Sequence, residues 1–167
     1  MLKKISLILF LLLFSTNAYP AGSESTSDSA DKVTKVKSDY EKAVSAIKYA
    51  KKFEKKGKVE KAKKRYDKAQ KLLLKSNIEK PNQADTLNYL GFTTRKLGDY
   101  ENGEKYYLMG LEIDPNHKGI NEYLGELYVT TNRLDLARES LKVLESCNCE
   151  EYAELEDIIE GVKESKY

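Results

Sequence analysis

The stretch Leu87-Asn88-Tyr89-Leu90-Gly91 returns 34 residues later as Asn121-Glu122-Tyr123-Leu124-Gly125. A fixed period of this length constrains the fold strongly. Each unit is too small to bury its own apolar face and must stack on its neighbour to do so. Downstream of each copy lies a turn, Leu97-Gly98-Asp99-Tyr100 in one and Thr131-Asn132-Arg133-Leu134 in the other. Gly98 and Asn132 share a repeat position, and both residue types tolerate the left-handed backbone that ends a helix. Asp114-Pro115-Asn116 closes the earlier copy, because proline cannot continue a helix interior. Runs of alternating strand formers are absent, and Ser38 with Glu41 forms a capping-box pattern at a helix start. The expectation is an all-α chain.

A degenerate third copy emerges upstream when Gly57 is aligned with Gly98. Ala50, Phe53, Ala62, Tyr66 and Ala69 then fall on the small and aromatic positions of the pattern. The three copies span residues 43–76, 84–117 and 118–151, with Asn77 to Gln83 inserted after the first as a helix extension or a loop around Pro81. Tyr152, Leu155, Ile158, Ile159 and Val162 give residues 150–164 the one-sided spacing of a capping helix. The pattern resembles the tetratricopeptide repeat family. Leu87 and Leu90, Gly91, Tyr107 and Pro115 match its conserved positions in the middle copy. Leu124, Gly125, Tyr128 and Ala137 match in the last, with Leu141 where the aromatic usually sits. The resemblance implies a right-handed α-solenoid of about three helix-turn-helix repeats plus a C-terminal capping helix. Tyr66, Tyr107 and Leu141 are expected to fill the space between helix pairs.

The repeats occupy one domain, residues 31–167, where Asp31 could cap an earlier start of the first helix. Before it, Lys3 and Lys4 precede an apolar run, Ile5 to Phe14, and small residues at Thr16 and Ala18. That layout is a secretory signal peptide over residues 1–18, cleaved after Ala18 or Ala21, and its run is too short to span a bilayer. Residues 19–30 read as a flexible linker. The expected location is therefore periplasmic or secreted, with no stable membrane insertion after cleavage. Charge is segregated: residues 31–80 carry 18 basic and 7 acidic groups, residues 84–167 carry 9 basic and 18 acidic. Such a dipole allows head-to-tail self-association, and the lysine-rich first helices offer a second use as a binder of anionic surfaces. Nucleic acid is not expected as a partner.

In the family the first helix of each pair lines a concave surface, at repeat positions 2, 5, 9, 12 and 13. Among the residues there, Lys51, Asn88, Phe92, Arg95, Lys96, Glu122 and Glu126 are the candidates for holding a protein or peptide partner. Asn88 would bond peptide backbone, Phe92 would supply an apolar platform and Arg95 would pair with a carboxylate. Ile47 and Lys51 stand where the family's carboxylate-clamp set needs lysine and asparagine, so that clamp is not expected. Cys147 and Cys149, one residue apart, can close a small disulfide, remain a thiol pair for exchange, or bind a soft metal. Phosphate-binding glycine loops, nucleophile elbows and zinc-protease motifs are missing, and the one histidine, His117, sits in an inter-repeat turn. The expectation is a non-enzymatic exported adaptor without a cofactor. The alternative is a redox or soft-metal accessory role at the cysteine pair.

Overall fold

The computed structural model describes residues 37–165. The expected signal peptide, the expected linker and the expected earlier helix start at Asp31 lie outside the described residues. Those residues form seven helices and no strand: α1 (Asp39–Glu54), α2 (Val59–Glu79), α3 (Ala84–Lys96), α4 (Tyr100–Ile113), α5 (Lys118–Thr130), α6 (Leu134–Leu144) and α7 (Glu150–Ile159). They pack as three helix pairs, α1/α2, α3/α4 and α5/α6, with α2 against α3 and α4 against α5, and α7 laid over α5 and α6. The result is an α-solenoid. No described helix is long and apolar enough to cross a membrane.

Helix boundaries follow local chemistry. Ser38 Oγ accepts from the Glu41 N–H at 3.2 Å, and Glu41 Oε2 accepts from the Ser38 N–H at 2.7 Å, completing the capping box. At the turn inside each pair, Gly57, Gly98 and Asn132 adopt φ of +66°, +97° and +60°. After α3 the Gly98 N–H donates to the Arg95 carbonyl and the Asp99 N–H to the Thr94 carbonyl. After α5 the Asn132 and Arg133 N–H groups do the same to Val129 and Tyr128. These are Schellman closures, which satisfy carbonyls that a helix end would leave bare. The residues inserted after the first repeat divide between both expected fates. Asn77 to Glu79 lengthen α2, and Lys80 to Gln83 form the loop around Pro81.

The core is built where small residues meet aromatic ones. Gly91 lies so close to the Tyr107 ring that a Cβ there would stand 2.5 Å from it. Tyr66 and Tyr107 are almost wholly buried, as expected. Leu141 departs from that pattern and is only partly buried. The last small position, Gly125, is covered by Leu155 of α7, because no fourth pair follows and the cap does the covering. That cap is shorter than its apolar spacing predicts. Gly161, at φ +73°, closes α7 by a Schellman turn, with the Val162 N–H donating to the Asp157 carbonyl at 2.8 Å. Val162 therefore lies beyond the helix and is 70% exposed.

Candidate functional site

The first helices of the three pairs, α1, α3 and α5, share a concave face, and three depressions open along it. One of about 350 Å³ lies on α1 between Val44, Ile47, Tyr89 and Tyr123 and is bordered by lysines. A second, of about 610 Å³, runs from the C-terminal half of α1 over Phe92 to Glu122 and Glu126 of α5. A third, of about 490 Å³, lies between the starts of α3 and α5 and reaches Glu151 of α7. Tyr123 borders all three, so they form one groove with that ring at its centre.

Interactions across the groove tie its helices together. Lys51 of α1 places its ammonium 4.6 Å from the Phe92 ring centre and donates to Tyr123 Oη at 3.3 Å. A cation over an aromatic face is attracted by the ring quadrupole. Lys96 of α3 pairs with Glu54 of α1 at 2.7 Å, and Tyr66 of α2 donates to the same carboxylate. Arg95 of α3 reaches the other way, donating to the Tyr123 carbonyl at 2.6 Å and pairing with Glu126 of α5 at 3.2 Å. Burial pushes the Tyr123 hydroxyl far above its ordinary pKa, with Glu122 adding to the effect. Tyr89 shifts up for the same first reason, with Asp85 second. Burial, again with Asp85, pushes Tyr40, whose ring sits against Tyr89, up to about 12. The groove phenols are neutral hydrogen-bonding groups at any physiological pH.

These contacts correct the sequence-based roles of several residues. Arg95 and Glu126 are each about 1% exposed and pair with each other, so the carboxylate that Arg95 binds is internal. Phe92 is 2% exposed, packed edge-on against Tyr66 and tilted against Tyr123, and acts as a floor beneath the groove. Lys96 is likewise engaged, with Glu54. Lys51, Asn88 and Glu122 do border the groove. Position 6 of each repeat, Lys48, Tyr89 and Tyr123, borders it too and was missed, along with Lys52. A lysine-tyrosine-tyrosine series at one register was the available signal. Away from the groove, the Cys147 and Cys149 sulfurs are bonded to each other, with Cα atoms 5.2 Å apart, in the turn between α6 and α7. Among the described residues no cluster of histidine, cysteine and carboxylate could hold a metal ion.

The family model for the tetratricopeptide repeat matches residues 84–117, the α3/α4 pair with its closing proline. That pair is a tetratricopeptide repeat. Two solved structures resemble this repeat protein along most of its length. One is the first TPR of Spaghetti (RPAP3) bound to the HSP90 peptide SRMEEVD, at TM-score 0.52 and 20% identity, covering 75% of this chain and 96% of that one. The other is the type III secretion translocator chaperone SycD of Yersinia enterocolitica, at TM-score 0.52 and 17% identity, covering 72% of this chain and 88% of that one. At these identities the likeness is one of fold. No curated protein matches the sequence.

Proposed function

We propose that this repeat protein is an exported adaptor that holds an extended segment of a partner protein in the groove of α1, α3 and α5, without catalysing a reaction. The observation that carries the reading is the single groove centred on Tyr123, with apolar floor and polar rim, which suits a peptide chain. A solved relative in fold, the Spaghetti domain, has a peptide bound to it. Export rests on the basic-apolar-small layout of residues 1–18.

The test is site-specific photo-crosslinking in the expressing cell. A photoreactive residue replaces Lys48 inside the groove or Lys63, an exposed position of α2 outside it. A defined protein joined from position 48 and not from 63 supports the adaptor. Products of equal yield from both positions, or salt-labile capture from 63 alone, would shift the function to the lysine-rich surface of α2.

A further inference from the structure

The groove carries opposite charge in two of its three depressions, and the one over Phe92 mixes both signs. Its α1 end is bordered by Lys48, Lys51, Lys52 and Lys55, and no acidic residue lines that depression. Beyond Tyr89 and Tyr123, the cavity between α3, α5 and α7 is bordered by Asp85, Asp114, Glu122 and Glu151. Lys118 is the one lysine there. Some of these carboxylates already have partners: Asp85 Oδ1 meets His117 Nε2 at 3.1 Å and Asp114 Oδ1 accepts the Asn116 N–H.

An acidic cluster by itself can be no more than a solvated surface, but here a second feature coincides with it. Asn88 lines the same cavity at 6% exposure, and its Oδ1 is buried with no hydrogen-bond partner. Leaving such an acceptor unmet is costly, and buried acceptors normally find a donor. The side chain is also seated by Gly119, where a Cβ would stand 2.8 Å from Asn88 Nδ2. An acceptor oxygen held in an acidic cavity is complementary to a positively charged N–H donor, and it is the wrong group for a carboxylate.

Resting on the groove reading above, we infer that the bound segment is charge-segregated. A lysine or arginine side chain enters the acidic cavity and donates to Asn88 Oδ1. Tyr123 and Tyr89 cover the middle of the segment, and its acidic residues lie along the lysines of α1. The two ends of the groove thereby select both composition and order, which a uniformly acidic or uniformly basic segment cannot satisfy.

Fluorescence anisotropy with N-acetylated, C-amidated twelve-residue peptides tests this on the full chain. Three of the peptides share one composition of arginine, glutamate, leucine and tyrosine. Two have the charges in opposite blocks, one in each order, and a third has them alternating. An all-glutamate and an all-arginine variant complete the set. One block order is expected to bind at least about ten-fold tighter than the alternating peptide. Asn88→Leu and Gly119→Ala are expected to remove most of that preference while the thermal midpoint holds or rises. The inference is overturned if the alternating or the all-glutamate peptide binds as tightly as the better block peptide. It also fails if Asn88→Leu leaves affinity unchanged, or if no peptide binds. A cross-linked partner at position 48 alongside any of these results would sink the charge-order inference and leave the adaptor standing. Loss of both would sink the two together.

Discussion

Arg95 shows how far a residue's role depends on what surrounds it. As a lone arginine on a groove-facing register it is a natural ligand-binding group. In the fold it is buried between α3 and α5, spanned by the Tyr123 carbonyl and Glu126, and lies 5.8 Å from the Tyr107 ring centre. An arginine taken out of water needs such company, and removing one partner of a buried pair strands the other. Tyr107 poses the opposite case. Its ring is wholly buried against Gly91, but its Oη has no hydrogen-bond partner. Desolvating a hydroxyl without a partner costs about 1–3 kcal/mol. Tyr107→Phe is therefore expected to leave stability unchanged or raise it by about 1 kcal/mol, measured by urea denaturation. A loss greater than that would mean the hydroxyl is doing bonding work in solution.

At the scale of helices, the same sequence position is solved differently in different pairs. Gly91 is pressed by the rigid Tyr107 ring, whereas Gly125 is covered by the flexible Leu155 side chain from α7. Alanine gains about 1 kcal/mol of helix propensity over glycine. Overpacking a core typically costs about 1–3 kcal/mol, and a fully buried planar ring cannot step aside as a leucine tip can. Gly91→Ala should accordingly lose up to about 2 kcal/mol net, with the denaturant slope unchanged, while Gly125→Ala should lose less. Equal effects in the two variants would show that the α3/α4 pair relaxes as readily as the cap. The turn residues reflect the same economy: three helix ends meet the left-handed requirement with Gly57, Gly98 and Asn132 at one register.

Across the whole molecule, charge is distributed so that the first pair is basic and the later ones acidic. Individual carboxylates are nevertheless held by local partners. Asp39, at the start of α1, is kept below its ordinary pKa by hydrogen bonds from Lys42 and then Lys75, which ties α1 to α2. Asp99 is depressed by its side-chain and backbone bonds to Asn102 at the start of α4. A carboxylate whose native pKa is depressed stabilises the fold above its unfolded value and loses that contribution as pH falls through the native one. Both groups start from 3.8, so stability should be flat between about pH 5 and 7 and decline steadily below that. The Asp39→Asn, Asp99→Asn double variant should begin lower and show a shallower acid limb in denaturation measured from pH 2 to 7. An acid limb as steep as the wild type's would place the responsible carboxylates elsewhere.

Much of the fold was legible along the chain because its determinants are local or periodic. Ser38 and Glu41 cap α1 within one turn, Gly98 and Asn132 end helices by their own backbone freedom, and the 34-residue period sets which faces must stack. The groove was legible only in outline. Positions 2, 5 and 9 of the first helices do border it in places, but the middle copy is flanked by α1 on one side and α5 on the other. Phe92 and Arg95 are thereby covered, and Tyr89 and Tyr123, one register away, border the open surface. Whether Leu155 or Leu141 would fill the space over Gly125 likewise depended on which element arrived from elsewhere. The sequence by itself determined the helices, their ends and their pairing, since hydrogen bonds within a turn and apolar periodicity act over a few residues. The tertiary structure decided which side chains stay open to a ligand, because burial is set by neighbours dozens of residues away in the chain.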